Sequence, residues 1–350
     1  MRHLPPELGQ DGATAHEAVA LTRRDFLRLT VGGLSVRCLL PSAGCHHDQG
    51  VNYATSGRPI FPDPIDDRIP LLWVETGICT GCAGSLLTAV APPFEALVPH
   101  LHLAYQETLM DSVGTTAIAR LLCLLSPGAR SSSKFVLVVD GVIPVGTSSG
   151  MTTLATGPDG HEYEAQELVS GLAARAASVV ALGTCASYGG IPGSAPNTGV
   201  QVSLAEVIGR TPIRVPGCPP NPSWITSTLI PLLGGQSVDL DTHGRPTAIF
   251  SRTVHERCPR RPHFAARDFA QTPGDPTRCL LRVGCKGIQA RGDCPTRMWQ
   301  GRSYCIKVNH PCMACTTPGF LDARPNVDGV DVGSEGQPVS PIYSALPKTP

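Results

Sequence analysis

The sequence is poor in charged and in aromatic side chains. Only 16% of its 350 residues are Asp, Glu, Lys or Arg, and 5% are aromatic. The formal net charge is zero and no basic run stands out, so the chain lacks an electrostatic basis for binding nucleic acid. No apolar run reaches the ~18 residues that a membrane-spanning helix needs, and the polar tail at 320–350 offers no anchor. An apolar content of 41% nevertheless predicts a globular protein with room for two domains.

Glycine and proline, by contrast, are abundant, with 37 and 34 residues. This composition predicts long loops that are held in place by something other than the hydrogen bonds of regular helices and strands. Bound metal would serve this purpose.

Half of the 14 cysteines lie in one stretch near the C-terminus. They are Cys258, Cys279, Cys285, Cys294, Cys305, Cys312 and Cys315. His255 precedes the first of them by about one helical turn. Such spacing favours iron-sulfur clusters over disulfides, so the sequence predicts a protein that transfers electrons.

Residues 22–27 read TRRDFL and match the twin-arginine export pattern, with a modestly apolar stretch at 29–40 behind them. We therefore expect residues 1–45 to be a signal peptide for the periplasm and residues 46–69 a linker. A basic helix start is the alternative. Exported proteins normally use their cysteines for disulfides, but twin-arginine substrates fold before export and can load metal first.

Short apolar runs alternate with helical patterns in the first half of the chain. The runs are 71–74, 135–139 and 179–182, and the helical candidates are 83–90 and 164–177. Runs of this length are typical of buried parallel strands. The alternation predicts an α/β fold with a parallel sheet that extends to about residue 240.

The remaining candidate ligands follow these strands. Cys79 and Cys82 form a CxxC loop after the first run, and Cys185 follows the third. Cys218 lies in a comparable loop, VPGCPPNP. Because ligands of open α/β sheets bind at the carboxyl ends of the strands, we expect these four thiols to hold one cluster. A zinc site and buried free cysteines are the alternatives.

The motifs together resemble the small, electron-transferring subunit of nickel-iron hydrogenases. They are GICTGC, GTCASYGGIPG, VPGCPPNP, HERCPRRPHF and CLLRVGCKG through HPCMAC, in the family's order across roughly residues 70–320. The resemblance implies a flavodoxin-like domain at 70–242 and a C-terminal iron-sulfur domain, poor in regular secondary structure, at 243–325. A polar tail at 326–350 would follow.

The resemblance also implies the ligands of three clusters. The proximal 4Fe-4S cluster would be held by Cys79, Cys82, Cys185 and Cys218. The distal 4Fe-4S cluster would be held by His255, Cys258, Cys279 and Cys285. The medial cluster would take Cys294, Cys312 and Cys315. No catalytic residue falls on this chain, and Cys38, Cys45 and Cys123 need no role.

Cys305 departs from the family pattern. Many relatives have proline at this position and carry a 3Fe-4S medial cluster because a fourth thiolate is missing. We therefore predict a 4Fe-4S medial cluster with Cys305 as its fourth ligand; a free cysteine beside a 3Fe-4S cluster is the alternative.

Two further departures concern the proximal site. Oxygen-tolerant relatives carry extra cysteines where this chain has Gly81 and Gly190, so we expect an ordinary cubane without that protection. Gly84 replaces a frequent glutamate, so a proton-handling role at that position does not transfer to this chain.

The resemblance implies that the chain relays electrons during reversible H2 oxidation. Its obligate partner would be a large subunit with the nickel-iron site, and its acceptor a cytochrome c or a membrane cytochrome b. Arg260, Arg261, His263 and Lys286 are candidates for a basic docking rim around the distal site. One alternative is an iron-sulfur carrier or quinone-reductase-type subunit without hydrogenase activity. Such a protein would not need the C-terminal cluster segment. A zinc-stabilised structural protein is the other alternative.

Overall fold

The computed structural model describes residues 68–110, 114–125, 134–157, 159–194 and 200–320, with two short strands beyond them. All of these residues belong to one compact unit, Gly44–Pro350. The predicted signal peptide, with Cys38 and Cys45, lies outside the described residues, as do most of the linker and tail and the side chain of Cys123. Within the described ranges, no helix has the length and apolarity to cross a membrane.

The strands share one principal sheet and three small pairs. In chain order they are β1 (Pro70–Glu75), β2 (His102–Gln106), β3 (Val136–Asp140), β4 (Ile143–Pro144), β5 (Thr153–Thr156), β6 (Glu162–Glu164), β7 (Ser178–Leu182), β8 (Gln201–Val202), β9 (Ile213–Val215), β10 (Asn326–Val327) and β11 (Val330–Asp331). The principal sheet is parallel with the order β2-β1-β3-β7-β9. This is the strand order of flavodoxin-like folds, and it confirms the predicted α/β class.

Three of the five strands of this sheet were predicted from apolar runs, and two were not. The two additional strands, β2 and β9, occupy its edges. Their sequences, HLAYQ and IRV, mix polar with apolar residues. Both strands begin with residues that are only half-buried, so they lack the continuous apolar run of a strand covered on both faces and give a weaker sequence signal.

The helices are short outside the sheet region. In chain order they are α1 (Gly81–Leu86), α2 (Phe94–Leu97), α3 (Gly114–Leu125), α4 (Ala165–Ala173), α5 (Gly183–Tyr188), α6 (Leu204–Ile208), α7 (Pro222–Leu233), α8 (Thr247–Phe250), α9 (Arg261–Ala265) and α10 (Cys294–Arg297). Single 3-10 turns occupy Val98–His100, Gly146–Met151, Leu281–Val283 and Cys305–Val308. Helix α1 ends at Leu86, four residues before the end of the predicted helix at 83–90.

The sheet is buried on both faces. Leu72 and Leu137 point to a core that includes Leu121 of α3 and Leu168 of α4. The alternate residues of the strands, such as Trp73, point to a second core that includes Trp224 of α7. Burial on both faces explains why β1, β3 and β7 appear in the sequence as continuous apolar runs.

Beyond α7 the chain has little regular structure. From residue 243 to 320 the described helices contain at most five residues. A small third core lies here, and its apolar residues pack with the side chains of Cys258, Cys285, Cys294 and Cys312. Cysteine thiols therefore form part of the packing of this region.

Candidate cluster-binding sites

The eleven cysteines predicted as ligands are all free thiols. Among the described residues, no group of three or more His, Cys, Asp or Glu is placed to hold a single metal ion. A cubane binds its thiolates through four separate irons, so its ligands stand further apart than those of one ion. The thiols fall into three groups.

The first group lies at the carboxyl end of the parallel sheet. Cys79 precedes α1 and Cys82 lies in its first turn, after β1. Cys185 lies in α5 directly after β7, and Cys218 follows β9. Burial, together with the neighbouring Cys218, Asp140 and Cys79, raises the pKa of the Cys185 thiol to about 12. Burial likewise raises the pKa of Cys82, as do Asp140, Cys185 and Cys79. The structure therefore brings all four predicted proximal ligands together.

Glycines leave room beside these thiols. Gly183 has φ +80°, and a Cβ there would lie 2.8 Å from Cys82 Sγ. Gly190 has φ +55°, and a Cβ there would lie 2.8 Å from Cys185 Sγ. Both positions combine a left-handed backbone with contact closer than real Cβ atoms allow, so both need glycine.

We expect Gly183→Ala to lower the iron content of purified protein by about four atoms per chain, because the methyl group would displace Cys82. Gly146→Ala is the matched control. Gly146 also has a positive φ, of +60°, but a Cβ there meets nothing within 4 Å. Iron analysis of the two variants separates crowding of the thiol from backbone strain. Equal iron content in both variants would contradict the expectation.

Asp140 is a residue of this site that the sequence analysis missed. It ends β3, is 3% exposed, and accepts a hydrogen bond from the Cys82 thiol. Burial and, to a smaller extent, nearby Glu75 raise the pKa of Asp140 to about 7. The aspartate that ends the run FVLVVD was the available sequence signal, since it stands at the carboxyl end of a central strand.

The second group contains the four predicted medial ligands. Burial raises the pKa of Cys294, and Cys315 and Cys305 raise it further. Burial also raises the pKa of Cys312, helped by Cys285, Cys315 and Cys294. Cys305 is exposed and begins the 3-10 turn Cys305–Val308. Its thiol thus lies within electrostatic range of two other members of the group.

A tryptophan from the sheet region holds the loop of Cys294. The indole Nε1–H of Trp224, in α7, donates to Asp293 Oδ1 at 2.5 Å. Asp293 also pairs with Arg297 at 2.8 Å. Gly292 lies against the ring, where a Cβ would meet Trp224 at 3.1 Å. The medial loop is therefore anchored to the sheet by a buried aromatic side chain.

We expect Trp224→Ala to lower the free energy of unfolding by about 3–5 kcal/mol, because it leaves a cavity and removes one of the hydrogen-bond partners of buried Asp293. Thermal unfolding would measure the loss of stability, and iron analysis should show that the medial site also loses iron. Met151→Ala is the control, since this side chain is 75% exposed. A Trp224→Ala melting temperature equal to that of Met151→Ala would contradict the anchoring role.

The third group contains the predicted distal ligands. Burial, with smaller contributions from Cys258 and Cys279, raises the pKa of Cys285 to about 11. His255 precedes Cys258 in a turn closed by Cys258 N–H donating to His255 O at 3.1 Å. Burial lowers the pKa of His255, as does nearby Arg261. A neutral imidazole, the form that binds metal, is favoured there.

Direct contacts join neighbouring groups. The Thr184 hydroxyl donates to the carbonyl of Cys315 and accepts from Gly217 N–H, which precedes Cys218. Cys312 N–H donates to Cys285 Sγ at 3.3 Å. The medial group is therefore connected to the proximal group on one side and to the distal group on the other.

Tyr304 lies between the medial and distal groups. Burial, together with nearby Cys258, Cys294 and Cys285, raises the pKa of the Tyr304 hydroxyl to about 12. Its hydroxyl is buried without a hydrogen-bond partner among the described residues. This buried donor lies between two sets of thiols, and sulfur acceptors there would satisfy it.

Two candidates for the basic rim are not at the surface. Lys286 is 3% exposed and Arg260 is 9% exposed. The Arg260 guanidinium donates to the carbonyls of Asp275, Arg278 and Ile306 and to Asn309 Oδ1. It is a structural cation that ties the loop before Cys279 to the turn after Cys305, which corrects its placement in the rim.

These residues fit iron-sulfur clusters. Each group offers buried thiols whose raised pKa values disfavour free thiolates, so only a bound cation would stabilise the charged form. Glycines keep space beside the sulfurs, and the Tyr304 hydroxyl supplies an unused donor.

Comparison with known proteins identifies two family models. The model for the C-terminal part of the NiFe/NiFeSe hydrogenase small subunit matches residues 250–327. The model for the 20 Kd subunit of NADH ubiquinone oxidoreductase matches residues 79–232. The first match covers the medial and distal groups, and the second covers the proximal group.

Individual relatives match across both parts. The periplasmic [NiFeSe] hydrogenase small subunit of Desulfomicrobium baculatum is 32% identical over 325 residues, which is 87% of this chain and 98% of the relative. The periplasmic [NiFe] hydrogenase small subunit of Solidesulfovibrio fructosivorans is 32% identical over 73% of this chain and 80% of its own. The actinobacterial-type NiFe-hydrogenase of Ralstonia eutropha has a structure that superposes with a TM-score of 0.67 at 29% identity, covering 79% of this chain and 88% of that chain.

Proposed function

The chain belongs to the family of nickel-iron hydrogenase small subunits, and on this basis we propose that it relays electrons between a large subunit and an external acceptor. Its path would run through three iron-sulfur clusters during reversible H2 oxidation. When bound, such clusters take up and release single electrons. The observation that carries the proposal is the row of three thiol groups in which the medial group contacts both others.

We propose the predicted residues as ligands. Cys79, Cys82, Cys185 and Cys218 hold the proximal cluster, and His255, Cys258, Cys279 and Cys285 the distal one. Cys294, Cys305, Cys312 and Cys315 hold a medial 4Fe-4S cluster. The fold positions the first set through the ends of β1, β7 and β9, while the other two depend on loops that the ligands themselves pack together.

The catalytic nickel-iron site belongs to the large subunit in this proposal, and the two chains form a heterodimer. The proximal group lies at the carboxyl edge of the sheet, where Cys79 and Cys218 are exposed and accessible to a partner. Electrons would leave at the distal group for a cytochrome c or a membrane cytochrome b. Export by the twin-arginine pathway to the periplasm completes the proposal, in line with the periplasmic relatives.

The match of residues 79–232 to a quinone-reductase family fits a proximal site shared between the two families. The C-terminal match, residues 250–327, favours the hydrogenase role because it contains the other eight proposed ligands. Iron, acid-labile sulfide and zinc analysis of the purified heterodimer tests the proposal. We expect about twelve irons per chain, in addition to the iron of the large subunit, and no stoichiometric zinc. Stoichiometric zinc without sulfide would refute it.

A further inference from the structure

Charge is distributed unevenly along this chain. The whole sequence balances 28 basic against 28 acidic residues, whereas residues 251–292 contain nine Lys or Arg and only three Asp or Glu. This segment carries His255 and the three other proposed distal ligands. The excess positive charge is therefore concentrated around the proposed electron exit.

The three acidic residues of the segment are matched by nearby arginines. Arg278 pairs with Asp268 at 3.1 Å and with Asp275 at 3.5 Å. Glu256 lies within electrostatic range of Arg252 and Arg291. The buried cations do not reach the surface. This leaves uncompensated positive charge on the outside of the segment.

Arg261, Arg267 and Arg282 carry that charge. All three are exposed, and none forms a salt bridge within the part of the chain that the structure describes. Exposed arginines left unpaired in one segment of a chain of zero net charge produce a local positive potential. We call these three arginines, with Phe264 and Phe269, the exit surface.

The exit surface is connected to His255 by a row of rings. The His255 imidazole packs edge-to-face on Phe264 with centroids 4.5 Å apart, and Phe264 packs on Phe269 at 6.1 Å. The Arg282 guanidinium lies over Phe269, 5.3 Å from the ring centroid. Arg261 is within electrostatic range of His255 itself. Both phenylalanines are partly exposed, so half-buried aromatics and exposed arginines lie together near the proposed exit ligand.

We propose that the exit surface docks a soluble one-electron carrier protein whose contact face is acidic. This inference rests on the proposed electron-transfer function, because it assigns the occupant from the position of His255. Opposite charge on the carrier would attract and orient it, and the aromatic residues would exclude water at the centre of the contact. Each docking event passes one electron to the carrier, so two carriers are reduced for each H2 that is oxidised.

An anionic lipid surface carries the same negative charge as an acidic carrier, but it does not fit the position of the exit surface. The basic residues surround the exit ligand, and a lipid headgroup cannot accept an electron. The surface therefore fits the acceptor itself better than it fits a tether.

The test uses the complete heterodimer reduced with H2. Second-order rates are measured for flavodoxin, as an acidic carrier, and for a mitochondrial-type cytochrome c, as a basic one, over a range of salt concentrations. Reduction of benzyl viologen serves as the internal reference because a small dye needs no docking face. We expect the flavodoxin rate to fall as salt rises and the cytochrome rate to rise or stay flat.

Substitutions that reverse the charge of the exit surface test whether its arginines cause the preference for the acidic carrier. We expect Arg267→Glu/Arg282→Glu to lower the ratio of flavodoxin rate to dye rate by about tenfold. Lys134→Glu is the matched control, an exposed lysine just before β3, at the opposite end of the sheet from the proximal thiols. Iron content and the electron paramagnetic resonance spectrum of the reduced variant establish that the clusters are intact.

Three results would overturn the inference. The first is a flavodoxin rate that changes with neither salt nor charge reversal, and the second is faster reduction of the basic carrier than of flavodoxin. The third is charge-dependent binding to phosphatidylglycerol vesicles without any effect of charge reversal on carrier reduction. Each would leave the electron-transfer function standing if H2-dependent dye reduction persists. Loss of dye reduction in the unaltered heterodimer would instead refute the proposed function.

Discussion

Replacing Cys185 with serine should reduce H2-dependent reduction of an external acceptor by at least about a hundredfold. The proposed clusters work in series, so the loss of one proximal ligand interrupts the whole relay. Cys185 is a strong test position because α5 places it directly after a central strand, where the sheet fixes its position. Its thiol interacts with those of Cys79 and Cys218, so the variant also breaks up the group. The measurement is hydrogen-driven reduction of benzyl viologen by the purified heterodimer.

Cys123→Ala is the control for this experiment, since Cys123 lies outside the twelve proposed ligands. It should retain full activity and iron content. Hydrogen-deuterium exchange catalysed by the heterodimer separates loss of the relay from loss of the catalytic site, because exchange needs no external acceptor. Full acceptor reduction by Cys185→Ser would refute the proximal assignment.

The unaltered protein, once oxidised, should show no strong 3Fe-4S signal in electron paramagnetic resonance. Cys305→Pro should create one, at about one spin per chain, and should lower the iron content from about twelve to about eleven atoms. Proline is well suited to this position because Cys305 is the first residue of a 3-10 turn, where no backbone N–H is needed. The substitution thus removes a thiol with little disturbance of the backbone.

The loss of one iron also changes cluster charge, so the medial reduction potential should rise in Cys305→Pro. Redox titration followed by the new signal measures it. Cys305→Ala checks that the effect comes from the missing thiol and not from the proline ring. A strong 3Fe-4S signal in the unaltered protein would show that Cys305 is not a ligand.

The sequence predicted the central part of the fold because three strands are buried on both faces and therefore appear as continuous apolar runs. It did not predict the edge strands, β2 and β9, whose mixed composition resembles that of loops. Residues 243–320 form no sheet within the described part of the chain, and glycine and proline content indicated as much.

The grouping of thiols was predicted in part from the rule that strand ends meet at one edge of a sheet, which applies to Cys79, Cys82, Cys185 and Cys218. The C-terminal groups lie on irregular loops, so only the family resemblance separated medial from distal cysteines. No motif revealed the buried Tyr304 hydroxyl, and the place of Asp140 at the end of a central strand did not by itself show that it lies beside Cys82. Their positions depend on tertiary packing between segments that are far apart in the chain.

Arg260 shows why charge alone predicts surfaces poorly. The sequence placed it with exposed arginines, yet its planar fork of donors satisfies four acceptors in loops that have no regular hydrogen bonding. An arginine can replace missing secondary structure in this way, and neighbouring Arg261 cannot be distinguished from it without the structure.

The hydrogen bond from Cys312 N–H to Cys285 Sγ also affects how electrons would tunnel between the two C-terminal sites. A proposed ligand of one site donates directly to a proposed ligand of the next, so the shortest route between the two sites would consist of covalent bonds and a single hydrogen bond. Tunnelling through bonds decays less steeply with distance than tunnelling across a gap between packed atoms. The coupling between these sites should therefore vary little as side chains move, which makes this step of the relay insensitive to thermal fluctuation.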